Sequence, residues 1–543
     1  MVTGNASVDN DGEHLQRSLS NRHIQLIAIG GAIGTGLFMG SGKTISVAGP
    51  SIVLVYSLIG VMLFFVMRAM GELLLHNLQY KSFQDFAADL LGPWAAFFSG
   101  WTYWLCWVVT GMADIVAVSN YWQFWVPSKN WSLVLAVGTL VVLFLLNLLT
   151  VRLFGELEFW FALIKVIAII VLIVLGAVLL VVRFTEPSGA RAGLANLWTH
   201  GGFFPTGANG FLAGFQIAVF AYVGIELVGT AAAETHDPVR NLPKAINAVP
   251  VRVLVFYVAA LTAIMCVTPW NSLDPGQSPF VTMFGLVGFG AAAAVMNFVV
   301  ITAAASGANS GLYSTSRMLY GLAHKGMASD GFGRLTRNGV PAWGLFITVV
   351  LVGSSLLLTL SQSIMEAFTL VTTVSAVLFI FIWGLILVSY LVYRHRFPQA
   401  HAASVYRMPL GRFTSWLVLA FFAFLVSCSA LARAKPKGPA ALLVLAALFL
   451  PLVATGAGVY YGAGVLKTHT LAEAESFSGQ LKIGNVDQVL KALQSGVSFP
   501  GRDDLISILN TVKEKAAEQG VTSPDTDSQG TDQSGDQQDG SQD

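Results

Sequence analysis

Apolar residues in this chain come in long uninterrupted runs, without the alternating or 3.6-residue spacing of a soluble fold. Runs near the ~20 residues needed to cross a bilayer recur about a dozen times. They predict helical spans at approximately 24–48, 51–76, 94–120, 132–151, 157–183, 209–234, 250–270, 286–316, 342–361, 366–393, 413–432 and 439–462. The fold class is all-α integral membrane. Within the first run, Gly30-Gly31-Ala32-Ile33-Gly34-Thr35-Gly36 falls where a helix should be continuous. Each glycine weakens a helix by about 1 kcal/mol relative to alanine. At membrane depth an open backbone survives only where protein or a water-filled cavity takes up its polar groups. A span that breaks at its middle is therefore a place to hold a solute.

Spans one to five (24–183) and six to ten (209–393) read as two five-helix halves. Because five is odd, the second half enters from the opposite side and is inverted. The sixth span, counterpart of the first, carries its own break signal, Phe220-Ala221-Tyr222-Val223-Gly224-Ile225-Glu226. At ~1.5 Å per residue, Gly34 lies ~15 Å from one end of its span and Gly224 ~22 Å from one end of its own. Both fall in the central third of a ~30 Å core. Single glycine clusters in membrane helices serve close packing; two at corresponding positions point to a shared midplane site. Spans eleven and twelve (413–462) follow, with tails at 1–23 and 463–543.

Composition agrees with this picture. Of 543 residues 55% are hydrophobic and 11% charged, with a mean hydropathy of +0.68, against roughly 25% charged residues in soluble domains. No cleavable signal pattern precedes the first span, so both termini are predicted to be cytoplasmic. That orientation places 15 basic residues inside and 7 outside, as the positive-inside rule asks, although Arg433, Lys435 and Lys437 run against it locally. The formal net charge of +1 hides an acidic tail, since residues 467–543 hold 6 Lys+Arg and 13 Asp+Glu. The tail has helical apolar spacing at Leu505, Ile508, Leu509 and Val512, then a polar stretch from Val521 to Asp543. It reads as a dispensable extension or as a surface for an unknown partner. Cys106, Cys266 and Cys428 are isolated, with no metal spacing. The polar segments hold no nucleophile–base pair, metal cluster or phosphate loop, so no enzyme activity, metal, cofactor or nucleic-acid partner is expected. Asn5 and Asn130 match a glycosylation pattern that arises often by chance.

At each break one half-helix offers free N–H groups and the other free carbonyls. A zwitterion fits: its carboxylate at the N–H groups of Gly34, Thr35 and Gly36, its ammonium at carbonyls near Ala32, Phe220 and Val223, with Gly224 opening the second break. Such a site recognises the α-amino-acid backbone. Ionisable residues inside spans come next, because they are costly there. Lys165 lies roughly 12–14 Å deep; it is either a structural lysine bonded to carbonyls or one that binds and releases a proton. Glu226, directly after the second break, is a gate or proton relay, or a helix-bonding residue. Asp114, about two turns from a span end, reads equally as a hydrated structural aspartate or a functional one. Arg68 and Glu72, at i and i+4, are expected to pair. Trp101, Trp104 and Trp107 form an aromatic stripe of the packing kind, with Tyr103 between them a pathway candidate. Ser306, Asn309, Ser310 and Ser314 either bond between helices, line the pathway, or hold a sodium ion.

The stretch Ser20-Asn21-Arg22-His23-Ile24-Gln25-Leu26-Ile27-Ala28-Ile29-Gly30 through Gly36-Leu37-Phe38 resembles the opening of the bacterial amino acid transporter family, within the amino acid–polyamine–organocation superfamily. The likeness continues to about residue 430. Gly100–Asp114 and Phe215–Thr235 are most similar to carriers of glycine and small D-amino acids. The resemblance implies an inverted five-plus-five fold with two extra helices, and proton-coupled import across the bacterial inner membrane by alternating access. The implied substrates are glycine, D-alanine, D-serine and L-alanine. It further implies that Gly34, Thr35 and Gly36 hold the substrate carboxylate, that Phe220 gates the site, and that Lys165 stands where related carriers hold sodium. Glu226 matches a glutamate implicated in transport. Alternatives are a carrier of aromatic or cationic amino acids, or an amino acid sensor. The long tail departs from the family pattern.

Overall fold

The computed structural model describes residues 33–80, 82–149, 151–227, 238–286, 290–361 and 363–431. Ala32, the first part of span one, span twelve and the tail lie outside the described residues. Among these residues the chain is helical, apart from an isolated bridge between Thr185 and Arg191. In chain order the helices are α1 (Thr35–Phe38), α2 (Gly40–Ala48), α3 (Ile52–His76), α4 (Phe83–Leu91), α5 (Pro93–Trp122), α6 (Lys129–Asn147), α7 (Val151–Val181) and α8 (Gly207–Ala218). Next come α9 (Pro238–Asn247), α10 (Ala260–Val267), α11 (Pro279–Gly285), α12 (Gly290–His324), α13 (Ala342–Ser354), α14 (Ile364–Arg396), α15 (Pro398–Ala403) and α16 (Gly411–Leu431).

Among the described residues seven helical stretches are long and apolar enough to cross a bilayer. Of the remaining predicted spans, the twelfth and the first part of span one lie outside the described residues, span eleven is a shorter apolar helix, and spans six and seven are interrupted. In the described part of span one, Gly34 with its extended backbone (φ −134°, ψ −163°) caps the start of α1, and the helix is interrupted at Met39 before α2. Span six ends α8 in a 3-10 turn, Val219–Tyr222, followed by extended Val223 (ψ 135°) and by Gly224 at φ +93°. Only glycine adopts that last conformation readily. Span seven, predicted continuous, contains a π-helical turn at Val253–Ala259 ahead of α10.

Burial explains which helices build the centre. The long helix α5 packs most extensively against α12 and α14, and α2 against α8, so the two broken spans sit together beside a three-helix core. The small residues of α12 permit this approach: Gly307 faces Asp114 and Gly311 faces Trp107. Peripheral α7 instead exposes Ile167, Ile170, Val171, Val174 and Val178. An apolar stripe at helical spacing with no polar groups suits hydrocarbon.

Between spans, short helices follow local rules. Ser82 and Asp85 make a capping box that starts α4, with Ser82 Oγ accepting from Gln84 N at 3.3 Å and Asp85 Oδ2 from Ser82 N at 3.1 Å. The expected Arg68–Glu72 pair does not form. Arg68 donates to Asn247 Oδ1 (3.1 Å) and to the Arg407 carbonyl, and lies over the Tyr406 ring at 3.8 Å. Glu72, 1% exposed, accepts from Tyr390 Oη (3.0 Å), Met408 N (2.8 Å) and His401 Nδ1 (2.5 Å). A buried carboxylate needs several donors, and one neighbouring arginine on the helix surface supplies fewer. Glu72→Ala strands these three donors and is expected to cost about 3 kcal/mol. Thermal unfolding of detergent-solubilised protein checks this; an unchanged transition would show that the node is not stabilising.

Candidate functional site

Between the two breaks lies a cavity of about 30 Å³, lined by Ile33, Gly34, Thr35, Gly36, Trp107, Thr110, Asp114, Glu158, Lys165, Phe220, Ala221, Val223, Gly307 and Ser310. Its walls come from both broken spans and from α5, α7 and α12. Gly34, Thr35 and Gly36 enter through the first turn of α1, where N–H groups have no intrahelical acceptor; Leu37 and Phe38 are the first to bond back, to the Gly34 carbonyl at 3.1 and 3.3 Å. A Cβ at Gly36 would stand 2.6 Å from Ala221 Cα and 2.8 Å from Ala221 N. The two broken backbones therefore touch here, and only glycine permits it.

Three ionisable side chains face the cavity, all buried: Asp114, Glu158 and Lys165 at 2%, 1% and 1% exposure. Lys165 Nζ donates to Ser306 Oγ (2.9 Å), which donates to Glu158 Oε1 (2.6 Å), tying α7 to α12. Asp114 Oδ1 accepts from Thr35 Oγ1 at 2.7 Å, joining α5 to the first break. Asp114 Oδ2, buried, accepts no hydrogen bond among the described residues. Gly307 makes room for it, since a Cβ there would lie 2.5 Å from that oxygen. With all three ionised the site holds one carboxylate more than its lysine balances.

The predicted residues divide into groups. Gly34, Thr35, Gly36, Phe220, Val223 and Lys165 line the cavity; Gly224 stands behind Val223 and supplies the turn. Ser306 bridges Lys165 and Glu158, whereas Asn309 turns away to accept from Asn147 Nδ2 at 2.7 Å. Tyr103 and Glu226 meet one another instead of the cavity: Tyr103 Oη donates to Glu226 Oε1 (3.1 Å) and Trp383 Nε1 to Glu226 Oε2 (3.4 Å). Of the tryptophan stripe, Trp101 bonds the Met327 carbonyl (3.1 Å), and Trp107 reaches the site. The Phe220 carbonyl, assigned to the ammonium from sequence, already accepts from Val223 N at 3.1 Å.

Glu158 escaped the sequence reading, and Asp114 stood there as a possible hydrated aspartate; it is buried and part of the cavity wall. One signal for Glu158 was present. Glu158 and Lys165 are seven residues apart, two helical turns, and so share a face of an otherwise apolar span.

Comparison with known proteins agrees with this geometry. The amino acid permease family matches residues 23–463. The D-serine/D-alanine/glycine transporter of Escherichia coli K12 is 62% identical over 416 residues, 76% of this chain and 88% of that one. The amino-acid permease AapA of Bacillus subtilis is 52% identical over 437 residues, covering 80% and 93%. A probable threonine/serine transporter of the same organism, YbxG, is 41% identical over 411 residues, covering 75% and 88%. Matched along most of its length by the family and by these relatives, this helical chain belongs to the amino acid permease family.

Proposed function

We propose that this protein imports small neutral α-amino acids, namely glycine, D-alanine, D-serine and L-alanine, across the bacterial inner membrane, coupled to protons, with both termini in the cytoplasm. The observation that carries the reading is the cavity where the broken spans touch, which offers peptide N–H groups at Gly34–Gly36 and an unpartnered carboxylate oxygen at Asp114. The substrate carboxylate takes the N–H groups, and its ammonium lies against Asp114 Oδ2, beside Val223 of the second break. Size supports small side chains: a water needs roughly 10–15 Å³ of such space, so a cavity of about 30 Å³ takes about two or three water-sized groups and must open least for the smallest amino acids. The transporters named for D-serine, D-alanine and glycine point the same way.

Coupling follows from the charge balance. A zwitterion brings no net charge, so the carboxylate in excess of Lys165 is neutralised by a proton that travels with the substrate. Lys165 holds Glu158 through Ser306 and thereby couples α7 to α12 as the broken spans rock. Glu226, with Tyr103 and Trp383, forms a second polar layer beside the cavity and serves as an inner gate.

Uptake of radiolabelled D-alanine into sodium-free proteoliposomes under an inward proton gradient tests this. Accumulation that collapses with an uncoupler, and is blocked by glycine and D-serine but not by phenylalanine or lysine, is expected. Binding without flux would favour a sensor, and inhibition by phenylalanine or lysine would overturn the substrate class.

A further inference from the structure

Breaking span six strips backbone groups of their partners. In a continuous α-helix the Ala221 carbonyl would accept from Ile225 N–H, four residues on. Here Ile225 N bonds Tyr222 O at 3.2 Å, and the carbonyl of Ala221, a residue of the cavity wall, is left without that partner. Tyr257 fills the vacancy, donating from Oη at 2.7 Å. It belongs to the π-helical turn Val253–Ala259, a register rarely used and concentrated at functional sites. Its ring stacks on Tyr222 with centroids 4.9 Å apart and planes 7° from parallel. Tyr222 in turn bonds the Tyr56 carbonyl of α3. Ala221 is also the residue on whose backbone Gly36 rests. A continuous path therefore runs from Tyr257 Oη through the Ala221 peptide to the first turn of α1.

We propose that Tyr257 is a positioning residue for the substrate, acting through the Ala221 carbonyl: its hydroxyl holds the second break open in the geometry that lines the cavity. Without it the Ala221 carbonyl regains its helical partner, the turn at Val223 and Gly224 closes, and the support under Gly36 shifts. The inference rests on the amino acid transport reading above.

The experiment compares initial rates of D-alanine uptake by equal amounts of reconstituted wild-type, Tyr257→Phe and Tyr222→Phe proteins. Tyr257→Phe keeps the stacked ring and loses the hydrogen bond to the Ala221 carbonyl. It is expected to raise KM about tenfold with a maximum rate per molecule within about twofold of wild type. Tyr222→Phe removes a bond to α3 away from the cavity and is expected to leave KM unchanged. A wild-type KM in Tyr257→Phe overturns the proposal, as does an equal KM shift in both variants, which would mean general loosening of the tyrosine cluster. A Tyr257→Phe protein that does not fold also overturns it, because the hydroxyl would then serve stability. Absence of uptake by wild type would instead refute the transport reading, and this inference falls with it.

Discussion

Asp114→Asn is expected to lose about 100-fold in apparent affinity for D-alanine, with the protein still folded. The carboxylate is buried and makes one hydrogen bond, from Thr35 Oγ1 to Oδ1 at 2.7 Å. Asparagine has the same shape and keeps an oxygen that accepts from Thr35, so the link between α5 and the first break survives. What changes is the second oxygen, which becomes an amide that donates. In the binding mode proposed above that group would face the substrate ammonium, a donor against a donor, where an unpaired charge costs roughly 2–5 kcal/mol. KM for D-alanine uptake measures the effect. Were Asp114 only a structural partner of Thr35, the variant would transport with wild-type KM, and the assignment of the ammonium to Asp114 would be wrong.

Lys165→Ala is expected to retain exchange of D-alanine between the two sides of a proteoliposome and to lose accumulation against a gradient. Removing the ammonium weakens the tie between α7 and α12, because the bridge from Lys165 through Ser306 to Glu158 loses its cation and only its Ser306–Glu158 hydrogen bond is left to join the two helices. It also leaves Glu158 buried without compensation, a loss of about 3–5 kcal/mol. The double variant Lys165→Ala with Glu158→Gln separates the two consequences. Neutralising the stranded carboxylate should restore yield while accumulation stays absent. Proton-driven accumulation at the wild-type level in either variant would remove Lys165 from coupling.

The two breaks were legible in the sequence because they are local events. Gly34 starts α1 and Gly224 breaks span six through their own backbone conformations, extended at one and at φ +93° at the other. Apolar run length likewise announced the spans, since crossing hydrocarbon demands it whatever the partners. The capping box at Ser82 and Asp85, although not singled out, obeys a four-residue rule. The π-turn at Val253–Ala259 left no such mark.

Partner choice was another matter. Arg68 and Glu72 are neighbours on one helix, yet Glu72 takes Tyr390, His401 and Met408, more than 300 positions away along the chain. Asp114 meets Thr35 across 79 positions and Glu158 meets Ser306 across 148. Run length, glycine placement and charge bias told of a membrane carrier with two broken helices and an amino-acid-like ligand, because each acts over a few contiguous residues. Which carboxylates enter the cavity, which carbonyl Tyr257 occupies and where Glu226 turns came from the packing of helices. A buried polar group satisfies itself with whatever donor the topology brings within about 3 Å, and nothing in its own neighbourhood of the chain names that donor.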